Sequence, residues 1–387
     1  MNRPLAVYVH IPFCTVKCGY CDFNAYAGMD NLKADYGRAL VREIRQCSSL
    51  LRGREISSIG FGGGTPGEVP ASDIASVIEA VREHAAFRPD IEISLEANPG
   101  TVTDSALREL QRAGVNRLSL GAQSFHGPEL KFLDRIHSPD ATISSLRLAR
   151  EAGIPSVGLD LIYGLPGQSL EAWRASLERA IAFDPDHIST YALTVEPGTP
   201  LARRVERREA IPLDEDQVAD QYDLASSVLA EAGYQQYELS NWAKPGHQSR
   251  HNRTYWTDGD YLGIGAGAHG YYNRERYENV AHPREYIAAV NHPESHALPA
   301  VQDRYLPDEA IAMSDWFALR LRLIEGFESA DFTARFGAAI PPSVAAVFRE
   351  MCEAGVVAAD PRIHLTARGR MLHGEVAARI LVALQGA

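Results

Sequence analysis

Short apolar runs alternate with longer stretches whose apolar residues recur at helical spacing. Residues 5–10 are apolar and partly β-branched, and Pro12 ends the run, so they predict a strand. Residues 31–46 carry Leu32, Tyr36, Ala39, Leu40 and Ile44 on one helical face. The pattern then repeats. Strands are predicted at 56–61, 91–95, 116–121, 156–162 and 187–194, and helices at 71–87, 103–113, 140–152 and 170–183. Thr103 suits an N-cap and Gly114 a left-handed helix end. The interval is roughly thirty residues, the length of a βα unit. Six such units predict an α/β fold, a partial (β/α)6 barrel with its working end at the C-terminal strand edges.

After Leu201 the pattern changes. Arg203, Arg204, Arg207 and Arg208, interleaved with Glu206 and Glu209, read as a solvated face. A helix is predicted at 214–232 and a strand at 234–242. Residues 247–256 and 263–272, rich in His, Gly and aromatics, read as loops. Helices at 283–292, 307–324, 330–336, 342–354 and 369–384 surround a hairpin at 356–365, which turns at Asp360-Pro361. The expected division is a barrel over 1–213, a connecting region over 214–300, and a mostly helical, winged-helix-like domain over 301–387.

Composition narrows the function classes. A net charge of -12 over 387 residues argues against a nucleic-acid surface. No apolar stretch reaches the ~18 residues of a membrane span. Residues 1–6 lack a secretory signal's apolar region, which points to the cytoplasm, where thiols stay reduced. Five cysteines, three of them clustered, do not suggest a disulfide framework. Cys47 and Cys352 lie in helical patterns and read as small buried apolar residues.

The clustered three are Cys14, Cys18 and Cys21, spaced C-x3-C-x2-C just beyond the first strand. Three thiolates so close fit three corners of a cubane [4Fe–4S] cluster, with the fourth iron open to a small molecule. A zinc site would need a fourth ligand, for which His10 is near in sequence, and Cys18 with Cys21 also make a redox C-x2-C.

This spacing, with Tyr20 before the last cysteine and Gly62-Gly63-Gly64-Thr65-Pro66 after the second strand, resembles the radical S-adenosylmethionine superfamily. The resemblance implies that S-adenosylmethionine chelates the open iron and is cleaved reductively to a 5′-deoxyadenosyl radical. It also implies an electron donor. Tyr8-Val9-His10-Ile11-Pro12-Phe13-Cys14, Leu95-Glu96-Ala97-Asn98-Pro99 and Leu159-Asp160-Leu161-Ile162-Tyr163-Gly164-Leu165-Pro166 resemble the coproporphyrinogen dehydrogenase-like branch. So do Gly121-Ala122-Gln123-Ser124-Phe125 and Arg135 before His137. In that branch Tyr8, Gly63, Gly64, Thr65, Glu96, Gln123, Arg135 and Asp160 would contact S-adenosylmethionine. Carboxylates such as Glu96 and Asp160 suit ribose hydroxyls or an amino group.

Two members of the branch differ at readable positions. The oxygen-independent coproporphyrinogen III oxidases carry a fourth cysteine two residues after the third, where this chain has Phe23, and a longer segment before the cluster. Arg250-His251-Asn252-Arg253-Thr254-Tyr255-Trp256 instead resembles the H-N-x-x-Y-W motif of HemW-type haem chaperones. That resemblance implies His251 as a haem ligand, Tyr255 and Trp256 against the porphyrin, and delivery of haem to acceptors such as respiratory enzymes. His247 and His269 are neighbouring alternates. The competing expectation is anaerobic decarboxylation of coproporphyrinogen III.

Overall fold

The structure is a computed structural model that describes residues 4–292 and 297–386. The first three residues of the segment read for a leader therefore lie outside it. Six parallel strands run side by side in chain order: β1 (Leu5–Ile11), β2 (Glu55–Gly63), β3 (Ala86–Ala97), β4 (Arg117–Gln123), β5 (Ser156–Tyr163) and β6 (His187–Ala192). The linking helices are α1 (Lys33–Gln46), α2 (Ala71–Arg82), α3 (Asp104–Ala113), α4 (Pro139–Glu151) and α5 (Leu170–Ala182). Thr103 caps α3 by accepting from Ala106 N–H, and Gly114 ends it at φ 112°.

Strand side chains alternate between two environments, as a period of two requires. Val7 and Val9, Ile59 and Phe61, and Ile93 and Leu95 join one core with the apolar faces of the helices. The intervening positions hold Tyr8 and His10, Ser58 and Gly60, Glu92 and Glu96, and Ser119 and Asp160. These inward-facing positions are therefore polar or glycine.

The sheet continues past the barrel at both edges. β7 (Gln235–Glu238) and β8 (Asn241–Ala243) form a hairpin, and β8 runs antiparallel to β6. The expected single strand at 234–242 is thus two strands, reversed through Leu239-Ser240. At the other edge β9 (Tyr261–Ile264) runs parallel to β1, followed antiparallel by β10 (His269–Tyr272), β11 (Glu275–Asn279) and β12 (Val301–Tyr305). Residues 263–272, expected as a loop, therefore belong largely to strands. Their glycines serve close packing: a Cβ on Gly263 would fall 2.0 Å from the His269 carbonyl oxygen, and one on Gly270 2.0 Å from the Tyr277 ring. The expected loop at 247–256 contains helix α7 (Arg250–Trp256), capped by the Ser249 hydroxyl, which accepts from Asn252 N–H. Its polar sequence shows no helical stripe because it is wedged against the polar inner wall.

Beyond α6 (Glu215–Glu231) and α8 (Pro283–Asn291), the C-terminal region has α9 (Glu309–Arg320), α10 (Ser329–Phe336) and α11 (Pro342–Glu353). A two-stranded hairpin and α12 (His373–Gln385) follow, the order the sequence predicts. This region has its own core, where Phe317 stacks on Phe332 at 5.0 Å and Trp316 meets Phe327 edge-on at 4.9 Å. Ion pairs tie it to the barrel extension: Arg276 to Asp315 at 2.8 Å, Arg253 to Glu325 at 2.6 Å, and Arg335 to Asp258. Cys47 is fully buried, whereas Cys352 is only half-buried at the edge of its core.

One buried carboxylate joins α1 to the turn between β9 and β10. Glu43 accepts from Tyr286 Oη at 2.7 Å, Gly265 N–H at 2.9 Å and Asn279 Nδ2 at 3.3 Å. Burial outweighs these donors and lifts its pKa from about 4.5 to about 7. The folded chain keeps this proton where the unfolded chain has released it, so Glu43 makes stability fall as pH rises from about 4.5 to about 7. Glu43→Gln removes that titration. Urea midpoints measured between about pH 5 and 8 are expected to fall less steeply in the variant than in the wild type. Equal slopes in the two would show that Glu43 does not carry the effect.

Candidate functional site

The cysteine loop leaves β1 and is held against the end of β2 by backbone. Gly64 N–H donates to Ile11 O and Thr65 N–H to Phe13 O, both at 2.8 Å. A Cβ on Gly64 would fall 2.6 Å from the Phe13 carbonyl oxygen, so this approach needs glycine. Gly63, at φ 111°, lies against the His10 ring.

Cys14, Cys18 and Cys21 are half-buried free thiols on this loop. Two of them are joined by one hydrogen-bonded chain. Arg135 Nη1 donates to Cys18 Sγ at 3.4 Å, and its Nη2 donates to Gly121 O at 2.7 Å and to Asn98 Oδ1. Asn98 Nδ2 donates to Thr65 Oγ1 at 2.9 Å. The Thr65 proton is then free for Cys14 Sγ, 3.3 Å away. Burial pushes the Cys14 and Cys21 thiols up, while Thr65 draws Cys14 down. Among the described residues no three His, Cys, Asp or Glu side chains converge on a single-ion site. A cubane instead takes each thiolate at a separate iron, and donors to Cys14 and Cys18 suit anionic sulfur. The residues present therefore fit such a cluster. Sequence reasoning missed Asn98, because an Asn before Pro99 reads as a turn residue.

Further along the inner wall lie the other expected cofactor contacts. Tyr8 Oη donates to His10 Nδ1 at 3.0 Å, since His10 Nε2–H is engaged with Asn24 O at 2.9 Å. Burial keeps His10 neutral by lowering its pKa. Burial, with Asp160 nearby, pushes Glu96 up to about 7. Burial also raises Asp160, against hydrogen bonds from Ser189 and Ser119, the latter at 3.0 and 3.1 Å. Gln123 ends β4 at φ 64°, beyond an irregularity in the pairing, and its side chain folds back over Gly121 beside Arg135. The structure thus brings Tyr8, Gly63 and Glu96 to one cavity wall, and Thr65 and Arg135 to the cysteines.

His251 lies deeper in the same wall, its ring centroid 6.3 Å from that of Tyr8. It is 4% exposed, deep in the wall, and Gly60 provides the space for its ring. Its Nδ1 pairs with Ser58 Oγ at 2.9 Å and its Nε2 with Tyr255 Oη at 2.7 Å. Its backbone N–H donates to Glu92 at 2.9 Å, alongside the Ser249 hydroxyl and the Arg250 amide. Burial lowers its pKa to about 4. Either tautomer leaves both ring nitrogens occupied, so the expected open loop histidine is, in this conformation, a neutral wall residue. Glu92 is the anchor that sequence reasoning overlooked; its signal was a charged residue at an inner position of β3. His247 lies elsewhere, with Nδ1 at 3.1 Å from Ser156 Oγ.

A cavity of about 720 Å³ opens beside Tyr8, Gly63 and Glu96 and runs outward between α7 and the β10–β12 extension. Its aromatic wall includes Tyr255, Trp256, Tyr261, Tyr271 and Tyr305, with Phe23 and His269 also on the lining. The volume and the mixture of apolar walls with a few polar groups suit a large ligand.

Residues 8–180 match the family model described as the radical SAM superfamily. The chain is 38% identical over 390 residues to the haem chaperone HemW of Mycobacterium tuberculosis, covering 98% of this chain and 95% of that one. It is 39% identical over 340 residues to HemW of Escherichia coli, covering 86% of each. Among solved structures, coproporphyrinogen III oxidase (HemN) of Escherichia coli, a radical SAM enzyme, superposes with a TM-score of 0.82 at 26% identity, covering 98% of this chain and 90% of that one. The polar inner wall and the clamped cysteine loop are thus features of a chain that belongs to the radical SAM superfamily and, within it, to the HemW haem chaperone family.

Proposed function

We propose that this protein binds haem and delivers it to acceptor proteins in the cytosol. Cys14, Cys18 and Cys21 hold a [4Fe–4S] cluster, and Tyr8, Gly63, Gly64, Thr65, Glu96, Gln123, Arg135 and Asp160 hold S-adenosylmethionine beside it. The observation that carries this reading is the aromatic-walled cavity of about 720 Å³, whose inner end is formed by Tyr8, Gly63 and Glu96. The cluster, when bound, supplies one-electron chemistry, with electrons from a separate donor. The chain's own residues position and shield. Thr65 and Arg135 donate to cysteine sulfur, which favours the thiolate. Glu96 and Asp160 are costly to ionise when buried alone, and a cationic amino group gives them a partner. Phe23, in place of a fourth cysteine, presents an apolar ring at the cavity's edge.

Three measurements test this reading. After anaerobic reconstitution, Cys14→Ala is expected to lose bound iron, sulfide and the visible charge-transfer absorbance while keeping its circular dichroism. Equal iron in the variant would remove Cys14 from the ligand set. Asn98→Ala is expected to keep the cluster but release it to a chelator about tenfold faster, since a hydrogen bond to a charged group contributes about 1.5–3 kcal/mol. Unchanged release would show that the Arg135–Asn98–Thr65 chain does not support it. Finally, the wild type is expected to bind haem stoichiometrically and pass it to an apo haem protein, without converting coproporphyrinogen III in the presence of S-adenosylmethionine and a reductant. Rapid formation of protoporphyrinogen IX would replace this reading with the decarboxylase one.

A further inference from the structure

Two histidines line the large cavity, His10 and His269. His10 has no free nitrogen: Nδ1 accepts from Tyr8 and Nε2 donates to Asn24 O. His269 is different. Its side chain is 69% exposed, and its nearest carboxylate contact is Glu278 Oε2, 3.9 Å from Nδ1. That separation is too long for a direct hydrogen bond. Unlike His251, His269 therefore offers an accessible imidazole lone pair.

The register shows what surrounds it. His269 pairs with Glu278, Tyr271 with Arg276, and Tyr271 also with Tyr261 across the other ladder. Glu278 in turn faces Asp303, and Arg276 faces Tyr305. Side chains of directly paired residues share a sheet face, so these groups form one surface, and all of them line the cavity. The opposite face carries Gly270 packed against the buried Tyr277. The turn that presents His269 is also rigid. Gly265 N–H donates to Glu43 at 2.9 Å, Ala266 N–H to Tyr36 Oη at 2.7 Å, and Asn24 Nδ2 to Ala266 O at 3.1 Å.

We propose that His269 is the side chain through which this cavity binds haem iron; the assignment rests on the haem-handling reading above. The Nε2 lone pair replaces a water on the iron. Glu278 stands 3.9 Å away on the Nδ1 side, which leaves Nε2 as the nitrogen that meets the iron. Tyr271 and Tyr305 offer faces to a flat macrocycle. Glu278 and Asp303 repel propionates from the His269 edge, which leaves them directed toward solvent. The macrocycle then lies between the mouth, where Phe23 is 64% exposed, and the inner end formed by Tyr8 and Glu96.

The test is a haemin titration of the full chain, followed by Soret and visible absorbance. It compares wild type, His269→Ala, His269→Gly, His251→Ala and the distant exposed His126→Ala. The expected result is loss of the wild-type Soret position in His269→Ala with at least a tenfold weaker affinity. Millimolar imidazole should restore the band in His269→Gly, a rescue that a purely structural residue does not give. His126→Ala should match wild type. A wild-type spectrum and affinity in His269→Ala, or loss of both in His251→Ala with His269→Ala unaffected, would overturn the assignment. Failure of the wild type itself to bind haemin would instead overturn the functional reading on which it rests.

Discussion

The site depends on two chains of backbone lying closer than side chains normally allow. The cysteine loop reaches β2 only because Gly64 has no Cβ to meet Phe13 O at 2.6 Å. That approach lets Gly64 and Thr65 donate to Ile11 and Phe13. It also sets Thr65 beside Cys14. From Thr65 the order passes through Asn98 to Arg135 and so to Cys18. Residues from the segments that follow β2, β3 and β4 thereby fix the relative placement of Cys14 and Cys18, and the short loop between them needs no regular structure of its own.

The barrel itself was legible because its signal is local. Each strand is a short apolar run and each helix has an apolar stripe, so all six βα units could be placed from periodicity. The cysteine spacing and the glycine-rich stretch were legible for the same reason, being contiguous. What was not legible involved contacts between distant segments. β9 and β10 look like a glycine-rich loop because Gly263 and Gly270 are there to let neighbouring groups approach, which only the partner strand reveals. Helix α7 looks irregular because it is polar, and it is polar because it packs on Glu92 and Ser58.

The histidines show the same limit at the level of single residues. Sequence places His251 in a motif, but its chemistry depends on whether its nitrogens have partners, and Ser58 lies nearly two hundred residues earlier in the chain. Asn98 gave no signal beyond a turn, yet it bridges Thr65 and Arg135. Residue type and spacing single out three clustered cysteines; they do not identify the neutral side chains that hold those cysteines in place.

The parallel pairing of β1 with β9 has a consequence for how the molecule is made. Leu5–Ile11 leaves the ribosome about 250 residues ahead of its second neighbour, Tyr261–Ile264. Until then β1 is an unprotected edge, and such long-range pairings form slowly. The wall beyond the cysteine loop is unfinished for the same period, because Asn24 is anchored by Ala266 and Ala281. The nascent chain thus passes through a stage in which β2 can already pair with β1 while the partners of Asn24 are not yet made. Synthesis order therefore completes the sheet on one side of β1 well before the other, and the contacts that anchor Asn24 form late.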